Sequence, residues 1–406
     1  MRTFLVILLV VVLLVGGAAI YLAATTPETA GAVRFPLSAS DRALLAHVPP
    51  GAEAFALIPV AAALQAKLLA NPVTAEPVRQ WTAEHELPRA WMLGGADIAA
   101  WKSGKTTSYA VRLDPFRALL VRMWLLFASN ADASWRGSTL IMHGGEAAPG
   151  ASPAMSEDLL RLAAALPEGD VLVVQKQSAR GAFPPIGRPA VSSVRITPAE
   201  ILLVSRAATE DVAETREIRA QFPRGAILAA SFASAPRILG DLNRLTGTRI
   251  DALVDNGGSI AIYGIDTGTL IPRPRGVVVV PADEEARQQW DDLASVAALV
   301  GETRDLGDRL ALSFDRESMG LYIKDATVPA TWPATRWALR IDPARLVPVL
   351  RKTADNQGLR FVAPRVHRGA RDLRHWIDAL DRASAVEAAD SVAGGVEELR
   401  VRVASK

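Results

Sequence analysis

Apolar and polar residues alternate along 109–113, where tyrosine, valine and leucine occupy every second position. This period of two predicts a short strand with one apolar face. Asp114 and Pro115 follow and are typical of a helix start, because aspartate is a favoured N-cap and proline loses no helical hydrogen bond at the first position. Five apolar residues at helical spacing then predict a buried helix face: Phe116, Leu119, Leu120, Met123 and Phe127.

The same pattern returns near the C-terminus. Residues 337–345 read Trp-Ala-Leu-Arg-Ile-Asp-Pro-Ala-Arg, a close copy of Tyr-Ala-Val-Arg-Leu-Asp-Pro-Phe-Arg at 109–117. We therefore expect two related strand-to-helix units, with Asp114 and Asp342 as N-caps. Pro348 lacks a helical N–H donor and predicts a kink in the second of these helices.

The two periods also place strands and helices along the rest of the chain. Predicted strands are 54–58, 98–101, 171–175, a hairpin over 191–206, 227–232, 260–263, 277–280, a hairpin of 310–314 with 321–323, and 396–403. Predicted helices include 60–69, 155–166, 236–245, 283–299 and 371–388. Because many successive strands are joined by short turns, we expect an α+β fold of largely antiparallel sheet with packed helices.

The second half of the chain repeats the element order of the first. Two glycines and a strand recur with a one-residue gap: Gly94, Gly95 and 98–101 correspond to Gly257, Gly258 and 260–263. Such self-similarity favours a divergent internal duplication. We place a first α+β domain at 41–222 and a second, with a C-terminal strand–helix extension, at 223–406.

The N-terminal stretch 3–24 is an uncharged, predominantly apolar run. About 20 such residues cross the hydrocarbon core of a bilayer, so we expect a transmembrane anchor at 1–24, followed by a tether at 25–40. A cleaved signal peptide is the alternative, since the run ends on two alanines. The positive charge precedes the run, which predicts a single-pass inner-membrane protein with a cytoplasmic N-terminus and an extracytoplasmic or periplasmic bulk.

Two short motifs carry a resemblance to a known group of proteins. Residues 49–52 read Pro-Pro-Gly-Ala before a strand and helix, and 257–263 read Gly-Gly-x-Ile-Ala-x-Tyr. With the apolar N-terminus, these resemble bacterial membrane-anchored envelope proteins classed as a domain of unknown function, over about residues 41–325. The resemblance implies a membrane-tethered extracytoplasmic domain and carries over no catalytic residue.

Composition narrows the classes of function. The net charge is +2 over 406 residues, which does not indicate a nucleic-acid-binding protein. The absence of cysteine removes disulfides, thiolate metal sites and cysteine nucleophiles. The five histidines form no HExxH or HxH motif, so we expect neither a metal nor another cofactor.

The segment 265–269, Ile-Asp-Thr-Gly-Thr, resembles the active-site loop of aspartic peptidases. Those enzymes need two facing carboxylates, and the corresponding turn at 102–104, Lys-Ser-Gly, supplies none. A hairpin turn is the simpler interpretation, because aspartate and glycine suit tight turns. An envelope hydrolase that uses Asp266 is the alternative.

A basic cluster is a tentative site for anionic lipid or glycan. Its members are Arg365, Arg368, Arg371, Arg374 and His375. Arginines spaced in this way can bind phosphate groups, and lipid headgroups and acidic glycans are the polyanions outside a cell. A solvated, ion-paired helix face is the competing interpretation.

A second tentative site is a loop in which apolar residues lie between arginines: Arg180, Phe183, Ile186 and Arg188. It is suited to contact a membrane surface or a partner, and equally to fold back on its own domain.

Together these patterns favour a membrane-tethered extracytoplasmic binding or scaffolding protein of the bacterial envelope, without catalytic activity. The expected partners are the membrane, through 3–24, and an envelope protein or an anionic lipid or glycan. A lipid or glycan carrier is a further alternative and requires an elongated apolar groove between sheet and helices.

Overall fold

The computed structural model describes sixteen stretches of the chain. They are residues 32–33, 35–84, 96–104, 106–127, 133–142, 155–176, 189–209, 218–233, 257–266, 273–284, 286–288, 290, 301–313, 315–332, 335–355 and 374–406. The fold is α+β with antiparallel sheet and several helices, as the sequence predicts. The chain forms two compact units.

The first unit contains the described residues up to Asn71, together with Val78–Pro198 and Leu203–Ala207. Its helices are α1 (Ala39–Leu45), α2 (Ala61–Ala70), α3 (Pro72–Glu84), α4 (Pro115–Phe127) and α5 (Glu157–Ala164). Its strands are β1 (Ala54–Ile58), β2 (Asp97–Ser103), β3 (Thr106–Arg112), β4 (Ala133–Arg136), β5 (Thr139–Met142), β6 (Val171–Gln175), β7 (Ala190–Ile196) and β8 (Glu200–Ala208). Hydrogen-bonded neighbours follow the order β4-β5-β3-β2-β1-β6-β7-β8. Both α3 and β8 also contribute residues to the second unit.

The second unit contains Pro72–Pro77, Ala199–Leu202 and the described residues from Ala208 onward. Its strands are β9 (Gln221–Pro223), β10 (Leu228–Phe232), β11 (Gly258–Asp266), β12 (Arg273–Pro281), β13 (Glu302–Asp305), β14 (Arg309–Ser313), β15 (Thr327–Pro329), β16 (Trp337–Ile341), β17 (Ala383–Ala393) and β18 (Val396–Ser405). Its helices are α6 (Arg316–Lys324), α7 (Pro343–Asp355) and α8 (Arg374–Asp381). Its main sheet has the order β13-β14-β12-β11-β10-β16-β17-β18, while β9 and β15 pair as a separate ribbon.

The two main sheets have the same strand order when each is numbered from its own first strand: fourth, fifth, third, second, first, sixth, seventh, eighth. Strands β2 and β11, which carry the matched segments 98–101 and 260–263, are each the second strand of their sheet. The sequence boundary at 222/223 falls inside β9, within the second unit.

The repeated motif does form a strand followed by a helix in both places, at β3–α4 and at β16–α7. Asp114 accepts hydrogen bonds from the backbone N–H groups of Phe116 and Arg117, both at 3.0 Å. Asp342 accepts one from the backbone N–H of Arg345 at 3.4 Å. Both aspartates therefore cap helices, but β3 is the third strand of its sheet and β16 the sixth, so the two copies do not occupy equivalent positions.

Two predicted elements are wrong. Residues 321–323 belong to α6 and not to a hairpin, because Asp315 caps a helix by accepting the backbone N–H of Ser318 at 2.8 Å; the hairpin partner of β14 is β13. The helix predicted over 371–388 ends at Asp381, and the alanine-rich residues beyond it form β17, which pairs with both β16 and β18. Cross-strand pairing therefore overrides helix propensity there.

The predicted buried face of α4 is wrong at Leu119 and Met123, whereas Phe116 and Leu120 are half-buried. The helix packs through Ala118 and Val121 against Val111 and Leu140, while Leu119 is exposed. Met123, four residues further along the same side, is exposed as well.

Among the described residues, no helix is long and apolar enough to cross a bilayer. The predicted anchor at 3–24 lies outside those residues.

Candidate ligand cavity in the second unit

A two-stranded ribbon, β9 with β15, covers part of the second sheet. Phe222 of the ribbon is 1% exposed and clusters with four alanines of the sheet: Ala229, Ala261, Ala338 and Ala389. Ala229 pairs directly with Ala261 on neighbouring strands, and Ala338 with Ala389. The sheet carries small side chains on this face, and they leave room for the ribbon.

Asp325 fixes the ribbon to the start of β10. Its carboxylate accepts the backbone N–H of Gly225 at 2.6 Å. A Cβ atom at Gly225 would lie 2.8 Å from the same carboxylate oxygen, so a larger residue there would displace the Asp325 side chain. Burial, and then the neighbouring Asp325 carboxylate, raise the pKa of Tyr263 well above its usual range, so this phenol stays neutral.

A cavity of about 310 Å³ lies within this unit, between the sheet and the ribbon. Small residues from β10, β11 and the positions next to them form one part of its lining, the floor, while Phe232 and Ile260 of the same strands also line it. The floor residues are Ala229, Ser231, Ala233, Ser259 and Ala261. Ser231 and Ser259 are directly paired across the two strands, so two hydroxyl-bearing residues lie side by side on the floor. Alternation along a strand puts every second residue on the same face, which is how these small residues come together.

Two arginines line the same cavity, Arg219 and Arg309. Arg219 is exposed, and no other described residue pairs with its guanidinium. Arg309 has an exposed partner, Asp308, at 3.4 Å, and such a pair is readily exchanged for another anion. Tyr322 and Thr327 add an aromatic ring and a hydroxyl, and Val279 and Val280 add apolar surface. This arrangement suits a small ligand with an apolar body and an anionic group.

A row of alternating charges crosses the strands beside the ribbon. Glu387 of β17 is directly paired with Arg340 of β16 and Arg402 of β18, and its carboxylate lies 3.5 and 4.0 Å from their guanidinium groups. Arg402 continues the row to Glu200 at 2.7 Å, and Thr331 donates its hydroxyl to Glu387. Glu387 is buried, so loss of its arginine partners would leave an uncompensated charge in the sheet on which the ribbon packs.

Asp266 is the last residue of β11 and is exposed. Its cross-strand partner is Arg273, and it is not part of the cavity lining. The rest of the peptidase-like segment, 267–269, lies outside the described residues. The matching turn in the first unit, between β2 and β3, is a hairpin with Gly104 at φ +62°.

The two sites predicted from the sequence are not assembled in the described part of the chain. Arg365, Arg368 and Arg371 lie outside it, whereas Arg374 and His375 are the first two residues of α8. The loop of Arg180, Phe183, Ile186 and Arg188 also lies outside it.

The cavity was not found from the sequence. A signal was present in the alternation of small residues at Ala229, Ser231 and Ala233, and again at Ser259 and Ala261. Within the described residues, no group of three or more histidine, aspartate or glutamate side chains is placed to hold a metal ion.

Comparison with protein-family models, curated proteins and solved structures finds no match to this chain.

Proposed function

We propose that this chain is a membrane-tethered, extracytoplasmic binding or scaffolding component of a bacterial envelope, and that its second unit holds a small anionic ligand in the cavity between sheet and ribbon. The observation that carries the proposal is the cavity itself, with its floor of small residues and its two arginines. Its volume is at the lower end of the range for small-molecule sites, about 300–1,000 Å³.

The apolar run 3–24 supports the tether, and its preceding positive charge supports an extracytoplasmic position for the bulk of the chain. The shared strand order supports descent of both units from one duplicated ancestor. In such a duplication, one copy is free to acquire a site that the other lacks.

Ligand-observed NMR tests the cavity on the full chain in nanodiscs. The probe is 2-naphthoate, whose aromatic ring carries one carboxylate, and we expect saturation transfer from the protein to its ring protons. Ser259→Leu fills the floor and should abolish the transfer. Arg219→Glu should weaken binding about tenfold or more, since hydrogen bonds to charged groups contribute about 1.5–3 kcal/mol.

Arg316→Glu is the matched control, because Arg316 is exposed in the same unit and does not line the cavity. It should bind the probe like the unchanged protein. Equal transfer in the unchanged chain and in Ser259→Leu would contradict the proposal, and so would equal affinity in the Arg219→Glu and Arg316→Glu variants.

A further inference from the structure

Helix α4 of the first unit has an apolar side that the described residues of its own unit do not cover. Leu119 is 54% exposed and Met123 is 45% exposed, although Ala118 and Val121 of the same helix are buried. Residues 115–127 include two arginines and no acidic residue. A surface helix normally carries polar residues on its outward side, so we expect this apolar side to contact another surface.

The neighbouring hairpin of β4 and β5 extends this side. Arg122 of α4 lies over the ring of Trp135 at 4.6 Å and donates a hydrogen bond to the backbone carbonyl of Gly137 at 2.8 Å. Arg122 is also one turn from Leu119, so these side chains share one side of the helix. We call Leu119, Arg122, Met123 and Trp135 the α4 face.

The second unit also has a helix directly after the third strand of its sheet, β12. Asp283 lies at the start of this helix and accepts the backbone N–H of Ala286 at 2.7 Å. Ala286 and Trp290 are buried against the sheet, as Ala118 and Val121 are in the first unit. Its outward residues are polar, however: Glu284 and Gln288 are exposed. At its described positions, the helix after β12 therefore lacks the apolar outward side that α4 has.

The length of chain between the proposed anchor and the first unit limits where that unit can be. The backbone N–H of Val33 donates to the carbonyl of Gly169 at 2.8 Å, which ties Val33 to the first unit. Val33 is the ninth residue after Ala24, the end of the apolar run. A fully extended chain of that length reaches about 30 Å, so the unit is confined close to the bilayer surface.

We infer that the α4 face rests on the lipid surface of the membrane to which the chain is tethered. This inference depends on the tether of the proposed function. The chemistry of the face fits that surface: leucine and methionine enter the acyl boundary, tryptophan is favoured at the interface, and arginine binds anionic headgroups while its stem stays apolar. A face with an arginine and no acidic residue suits anionic lipid headgroups.

The absence of native cysteine permits a direct test with single labels. The full chain is reconstituted in liposomes that contain anionic lipid, with an environment-sensitive fluorophore on Met123→Cys. Leu321→Cys, on α6 of the second unit and 43% exposed, is the matched control. We expect the label at 123 to shift to the blue and to be quenched by lipids with a spin label near the headgroup, and the label at 321 to remain unquenched.

Three outcomes would overturn the inference. The first is a label at 123 that is water-like in membranes, and the second is equal quenching at 123 and 321. The third is a blue shift at 123 without lipid quenching, because a protein partner or a second copy of the chain would then cover the face. Resistance of the reconstituted chain to alkaline extraction is measured in the same samples: loss of the chain from the membrane contradicts the tether, whereas a retained chain with a water-like label contradicts only the α4 face.

A charge variant supplies a second measurement that does not depend on the label. Arg122→Glu should reduce headgroup quenching at 123 at least twofold in anionic liposomes and change it little in zwitterionic ones. Equal quenching of Arg122→Glu and the unchanged arginine in anionic liposomes would contradict a role for headgroups.

Discussion

The two units share one strand order, yet they fill the same face of the sheet differently. In the first unit, Leu57 is opposite Ala99 and is fully buried. In the second, the position opposite the matching Ala261 is Ala229. A leucine in the first sheet therefore corresponds to an alanine in the second. The ribbon of β9 and β15, with Phe222, and the cavity occupy the space that the smaller side chain leaves. A smaller side chain at an equivalent backbone position can thus leave space for a cavity without a change of topology.

The largest expected effect concerns the row of charges beside the ribbon of the second unit. Replacing Arg340 and Arg402 together by leucine leaves the buried Glu387 carboxylate without either guanidinium partner, and we expect a loss of about 3–5 kcal/mol in the free energy of unfolding. Urea unfolding measures it. Asp308→Asn, which removes an exposed partner of Arg309, should leave stability nearly unchanged; equal losses in the two variants would contradict a structural role for the row.

Exchanging the floor residues sharpens the comparison. Leu57→Ala should destabilise the protein by about 2–5 kcal/mol, because the first unit has no ribbon residue described at that site to fill the void. The reverse change, Ala229→Leu, overpacks the face beneath Phe222 and should cost about 1–3 kcal/mol. Thermal unfolding of both variants measures which of them loses more stability. A larger loss in Ala229→Leu than in Leu57→Ala would contradict the difference in packing between the two sheets.

The two helix caps should differ in strength. Asp114 accepts two backbone N–H groups and also pairs at 2.8 Å with the Arg117 guanidinium, which is buried. Asp342 accepts one longer bond and pairs with an Arg345 side chain that is about half exposed. Asp114→Ala should therefore cost about 2 kcal/mol, and Asp342→Ala about 0.5 kcal/mol, which are the two ends of the range for N-caps. Chemical denaturation measures both losses in the free energy of unfolding. Equal losses in Asp114→Ala and Asp342→Ala would contradict the difference between the two caps.

The smallest effect concerns pH. Burial, and then the positive charge of Arg136, lower the pKa of His47 in the first unit. The folded state then binds fewer protons than the unfolded state, so the contribution to stability is complete above about pH 6.5 and declines as the pH falls below it. His47→Gln should flatten this part of the stability profile. An unchanged profile in the variant would assign the decline to other groups.

The sequence predicted the regular elements more successfully than their environment. The strands predicted at the apolar segments 54–58 and 171–175 have the bounds of β1 and β6, and the Asp-Pro pairs located the starts of α4 and α7. Helical spacing placed Leu119 and Met123 on the buried side of α4 although both are exposed. A helix that is apolar nearly all round does not reveal which side meets the sheet. The alternation of small residues in β10 and β11 does not reveal what covers them, since the ribbon joins Phe222 to Val328, more than a hundred residues apart in the chain.

Hydrogen exchange with mass spectrometry tests the central claim most directly, that the second unit holds a ligand between sheet and ribbon. The full chain in nanodiscs is compared with and without 2-naphthoate. We predict slower exchange on ligand addition in peptides that cover β10 and the start of β11, with β1 and β2 of the first unit unchanged. Slowed exchange in β1 and β2 alone, or in neither unit, would contradict the account.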